Sequence, residues 1–198
     1  MTMNKMRYIP ILGGLLGAAG VIAAVAVAPY IPTQAELAPE ETAQLAAWSE
    51  AGDALAVQRM VEQGACVEAA AADGTTALMT AAGEGHLEVV KTLLMHNAQV
   101  AAVNQEGETA LHFAVRHNQP AVVSYLLEQG AAINACSKSG VSPLMIASWS
   151  GFEKLVQQLL AAGADASLRD AEGRDAASHA REVQDDATQE TILRLLAS

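Results

Sequence analysis

Residues 106–134, EGETALHFAVRHNQPAVVSYLLEQGAAIN, spell out two short helices and the signals that start and stop them. Gly107 marks a turn, because glycine takes positive φ without a steric cost. Thr109 stands at an N-cap position, where its hydroxyl serves the first helical turn and also reaches the side chain of His112 one turn on. Leu111 and Ala114 share one face of the helix that follows. Asn118 tolerates the left-handed backbone that ends it. A second helix carries Val122, Val123, Leu126 and Leu127 at helical spacing, and Gly130 stops it. One such pair cannot bury its own apolar face, whereas stacked copies can.

The copies are present. Gly74, Gly107, Gly140 and Gly173 are each 33 residues apart, as are Ala81, Ala114, Ala147 and Ala180. Gly64, Gly130 and Gly163 form a second glycine column with Asn97 in the missing place, and Gly52, Gly85 and Gly151 form a third. Ten of the eleven glycines after residue 35 fall in these three columns. The pairs Leu93-Leu94, Leu126-Leu127 and Leu159-Leu160 keep the same spacing and read as core. Truncating Leu127 to Ala is therefore expected to cost about 2–5 kcal/mol. Truncating the tip residue Glu106 is expected to cost about 0.5 kcal/mol or less.

The stretches DGTTALMTAAGEGHLEVVKTLLMHNAQV (73–100), EGETALHFAVRHNQPAVVSYLLEQGAAIN (106–134) and SGVSPLMIASWSGFEKLVQQLLAAGADAS (139–167) resemble ankyrin repeats. The resemblance implies an all-α repeat solenoid of about five units, each a helix-turn-helix plus a hairpin turn, over about residues 40–72, 73–105, 106–138, 139–171 and 172–198. Only His112 keeps the family's histidine; Met79 and Met145 replace it, so those turns are expected to be looser. In the degenerate first unit Trp48 takes the alanine column, which suits an end repeat with no neighbour crowding one side. In the last unit Arg181, Glu182, Asp185, Asp186, Glu190 and Arg194 make the polar outer face that a terminal cap needs.

The N-terminus is of another kind. Lys5 and Arg7 precede residues 9–28, IPILGGLLGAAGVIAAVAVA, which contain no charge. About 20 apolar residues cross a bilayer as a hydrophobic helix, and the basic flank stays on the cytoplasmic side. Residues 1–35 thus read as a signal peptide or a single-pass anchor through residues 9–28, with residues 36–198 exported as the repeat domain. This segment and the small side chains of the repeats explain why the chain is 52% hydrophobic, only 17% charged and 4% aromatic, with alanine at about a fifth. That composition favours closely packed helices over a β-sandwich. Without Lys5 and Arg7 the remainder holds nine basic and 22 acidic residues, near −13, which argues against nucleic acid as a partner.

Catalysis has little support. His86 sits in an inter-helix turn, His112 has the structural place just described, and His96, His117 and His179 occupy unrelated columns. There is no H-E-x-x-H, no zinc-ligand spacing, no phosphate loop and no nucleophile elbow, so no metal, cofactor or catalytic residue is assigned. Cys66 and Cys136 lie about two repeat widths apart, beyond the roughly 7 Å between Cα atoms that a disulfide bridges. Asp185-Asp186 and Glu40-Glu41 read as solvated end charge.

Exposed positions that vary between equivalent repeats point instead to recognition. By resemblance these are the hairpin tips and the ends of the first helices, which line a concave face. The tips supply Thr75, Glu106, Glu108, Lys138 and Val141; the helix ends supply Glu84, Arg116, His117, Trp149 and Ser150. Trp149 stands where other repeats have Gly83 and Arg116, so the fold does not require an aromatic there, and it reads as a contact residue or as packing over Phe152. Glu84, Arg116 and His117 are expected to form its mixed-charge rim. The resemblance implies a non-catalytic module that scaffolds or regulates a protein client. The short exported architecture and alanine richness point to a bacterial periplasm, and exported bacterial relatives accompany stress enzymes such as catalases. Two alternatives are a hydrolytic site around His117, which requires converging titratable groups, and a purely structural spacer or inhibitor.

Overall fold

The structure, a computed structural model, describes residues 39–197, with side chains from Ala43 onward. The leader expected at 1–35, with its apolar run 9–28, lies outside these residues. No helix among the described residues is long and apolar enough to cross a membrane. These residues form ten helices in five consecutive pairs and no strand, only an isolated bridge between Ala70 and Thr76. The first helices are α1 (Pro39–Ala51), α3 (Ala77–Glu84), α5 (Ala110–Arg116), α7 (Pro143–Trp149) and α9 (Ala176–Ala180). Their partners are α2 (Ala54–Glu62), α4 (Leu87–Met95), α6 (Pro120–Glu128), α8 (Glu153–Ala161) and α10 (Asp186–Leu196). First helices pack on first helices in chain order, so the fold is a helical solenoid.

Three of the first helices, α3, α5 and α7, start on a reciprocal cap. In α5 the Thr109 backbone N–H donates to His112 Nδ1 at 3.1 Å, with the Thr109 hydroxyl 2.9 Å from the same atom. His112 Nε2 lies 3.2 Å from the Val141 carbonyl, tying the third repeat to the fourth. Since Nδ1 accepts a backbone N–H and a carbonyl can only accept, the buried ring is neutral with its proton on Nε2. In α3 and α7 a methionine sulfur takes over the acceptor's part: Thr76 N–H to Met79 Sδ and Ser142 N–H to Met145 Sδ, each 3.5 Å. The looser turns expected there show only as this longer, weaker bond, because the box still closes and Thr76 and Ser142 remain buried.

The glycine columns have different causes. All ten column glycines take positive φ, as do their substitutes Asn97 (68°) and Asn118 (55°). The tip glycines meet a second demand. A Cβ on Gly74, Gly107 or Gly140 would lie 3.0–3.1 Å from the backbone of the next tip, whereas Gly173, at the last tip, has nothing within 4 Å. The tips close on each other because Gln105, Lys138 and Ala171 donate backbone N–H bonds of 2.8–2.9 Å to the carbonyls of Asp73, Glu106 and Ser139.

The core corrects one expectation. Leu93, Leu126 and Leu159 are fully buried, while their neighbours Leu94, Leu127 and Leu160 are only partly so. The outer helices turn the first leucine of each pair fully into the core and leave the second partly exposed at its edge. Leu126, not Leu127, is the core position. In the first unit Asp53 N–H bonds the Trp48 carbonyl at 3.1 Å, as His86, Gln119 and Phe152 bond Ala81, Ala114 and Ala147, so the period extends to α1. At the last tip the Arg169 guanidinium donates to the Gly173 carbonyl at 2.7 Å.

Candidate interaction surface

The first helices α5, α7 and α9 and their tips enclose an open concavity of about 380 Å³. Its floor is apolar: Val141 from the tip, then Met145 and Ile146, both buried, from α7. Trp149, 58% exposed at the end of α7, stands along it. Trp149 is the last residue of α7, and Ser150 follows it as the C-cap in helical backbone.

An ion pair on one side and a cluster of three around a single arginine on the other bound the concavity. On the third-repeat side Arg116 lies over the Phe113 ring at 5.7 Å and grips both carboxylate oxygens of Glu108, Nη1 to Oε2 at 3.2 Å and Nη2 to Oε1. The hydrogen bond from Arg116 holds the Glu108 carboxyl below its ordinary value despite partial burial. On the fifth-repeat side Arg174 reaches Asp170 at 2.9 Å, and Glu172 and Glu182 at 3.4 Å each. Asp170 is buried and also meets His179 Nε2 at 2.9 Å. Burial pushes its carboxyl up, but bonds from the Arg174 backbone, from His179 and from the Arg174 side chain outweigh it and leave the carboxyl below the usual range.

The other expected residues fall elsewhere. Thr75 is spent in its own turn, its N–H and hydroxyl each 2.9 Å from Asp73. Glu106 and Lys138 are exposed tips joined through their backbones. Glu84, at the end of α3, and His117 do not line the concavity. The exposed His117 ring instead lies beside Gly83, the one glycine outside the columns, where an added Cβ would stand 2.9 Å from Nδ1 and require the ring to shift. The rim that Glu84 and His117 were expected to give Trp149 comes from Arg174, His179 and Glu182. Two of these were within reach of the period. Arg174 continues the Thr75, Glu108, Val141 column and Glu182 continues the Gly83, Arg116, Trp149 column. Reading the last unit only as a solubility cap hid them.

Among the described residues no group of three or more His, Cys, Asp or Glu is placed to hold a metal ion, and Cys66 and Cys136 are free. Stacked helix pairs, with an apolar concavity bounded by ion pairs on the first-helix face, define a helical repeat solenoid. A family model for ankyrin repeats, in three copies, matches residues 32–104 and 99–170, and the chain belongs to that family. Its repeats are generally protein–protein interaction modules, and the family is typically non-enzymatic. No curated protein matches the chain.

Proposed function

We propose that this chain is a non-catalytic interaction module, exported to the periplasm or anchored at the membrane facing it, that binds a client protein through the concavity at Trp149. The observation that carries the reading is the exposed indole over an apolar floor, held between two ordered ion pairs. An aromatic anchor inside a polar rim is the usual composition of a binding hot spot. The basic flank of Lys5 and Arg7 before an uncharged run supports export, and the acidic repeat part favours encounter with a basic client. The hydrolytic alternative gains nothing at His117, which packs on Gly83, while the Ser178 hydroxyl beside His179 donates to Asp175 at 2.7 Å.

The test is a crosslinking pull-down with the full-length chain and its Trp149→Ala variant, with intact-mass measurement of the bait. The expected result is a client, a stress-related enzyme being one class to look for, whose yield falls about tenfold with the variant. Equal yields from both baits overturn the Trp149 assignment. A bait mass lacking residues 1–35 identifies a cleaved signal, and a full mass identifies an anchor.

A further inference from the structure

Among the ion pairs that bound the Trp149 concavity, Arg116 with Glu108 and Arg174 with Glu182 are the same pair built twice with opposite polarity. Glu108, Val141 and Arg174 share one repeat column; Arg116, Trp149 and Glu182 share another. In the third repeat the tip is acidic and the helix end basic, and Arg116 pairs with Glu108. In the fifth the tip is basic and the helix end acidic, and Arg174 pairs with Glu182 at 3.4 Å. The fourth repeat, between them, replaces both charges with Val141 and Trp149.

Exposure and the number of acids around each guanidinium decide which charge each end presents. At the third-repeat end the Arg116 side chain is 41% exposed and Glu108 only 15%, so that end offers a cation. At the fifth-repeat end Arg174 is equally exposed, at 41%, but three acids share it, Asp170 buried against it and Glu172 and Glu182 61% and 47% exposed, so the balance there is negative. The concavity therefore runs from positive, across an apolar middle, to negative. A second copy of this chain is a poor occupant, since its own net charge is −11.

We infer that the occupant is an extended segment of a partner protein carrying a large apolar side chain between an acidic and a basic residue. The acid faces Arg116, the apolar anchor packs on Trp149 and Val141, and the base faces Glu172 and Glu182. Neighbouring helices pack about 8–10 Å apart, so the two ends are about 16–20 Å apart. An extended chain covers that in about five or six residues. This inference rests on the binding-module reading above and adds the chemistry of the bound segment.

The test uses the full-length chain and three fluorescein-labelled peptides: Glu-Ser-Thr-Phe-Thr-Ser-Lys, and the same peptide with Lys at both ends or with Glu at both ends. Anisotropy at low salt should show the mixed peptide binding at least about fivefold more tightly than either control, with the difference shrinking as salt screens the charges. Arg116→Glu should move the preference to the peptide with two lysines. Glu182→Gln, a milder change at an exposed site, should weaken the mixed and two-lysine peptides and spare the two-glutamate one. Trp149→Ala should weaken all three by about tenfold. Equal affinities, no measurable binding, or a preference that Arg116→Glu leaves unchanged overturns the inference. Failure of the peptides while the pull-down still recovers a client sinks only this inference; a pull-down that recovers no client sinks the reading beneath it.

Discussion

At Gly107 two separate demands fall on one residue. Its φ of 74° disfavours any side chain, and a Cβ would stand 3.0 Å from the Lys138 backbone nitrogen. Gly130 meets only the first demand, with φ of 85° and open space around it. Gly130→Ala should therefore cost about 1 kcal/mol, the price of a left-handed alanine, and Gly130→Asn less, since Asn97 holds the equivalent place. Gly107→Ala should cost more, about 2–3 kcal/mol, because the tip-to-tip bond must also yield. Urea unfolding of the variants checks the order, and equal costs would mean the tips do not press on each other.

His112 makes a residue-scale prediction about pH. Burial holds its imidazole below the ordinary value, and the Arg116 charge acts the same way; the Val141 carbonyl and Glu108 pull upward without reversing the shift. The folded state thus binds fewer protons than the unfolded one. The stability His112 contributes is complete above the unfolded value of about 6.5 and is lost as pH falls below it. His112→Met copies the neighbouring repeats. It should lower stability by about 1 kcal/mol at neutral pH and flatten the fall in melting temperature between about pH 7 and 5. A variant whose pH slope matches the parent would show that the ring is not held neutral.

At the scale of elements, the outer helices show how far a helical pattern carries. Periodicity places the leucine pairs on the core side but leaves open which of the two leucines points inward, because adjacent helical positions lie about 100° apart on a stripe that wide. The packing of α6 against α5 answers in favour of Leu126. Leu126→Ala should cost about 3–5 kcal/mol, and Leu127→Ala, half-buried, about 1–2 kcal/mol. Thermal melts that rank the two the other way would mean that α6 is rotated. The helix starts were more legible than the faces. Thr76, Thr109, Ser142 and Asp175 mark them by residue type alone, since a cap is a contact within four residues. The site was legible in part for the same reason of range. Trp149, Arg116 and Val141 stood out by comparison of columns, but their joining with Arg174 and Glu182 depends on helices stacked a repeat apart.

For the whole molecule, charge and repetition set the behaviour. A net charge of −11 on 198 residues destabilises the compact state by self-repulsion, so raising NaCl from about 0.02 to 0.5 M should raise the melting temperature by a few degrees. An unchanged or falling midpoint would mean that ion pairs such as Arg174 with Asp170 outweigh the repulsion.

The amino-acid sequence by itself determined the period, the helix pairs, their caps and stops, and the acidity. Each is set within a turn of helix or by simple addition, and repetition makes it conspicuous. Only the tertiary structure decided why the tip glycines cannot carry a side chain, which leucine is core, and that Trp149 lies between two ion pairs of opposite polarity. Those facts live in contacts between the helices of one pair or between neighbouring repeats, which exist only once the helices have packed.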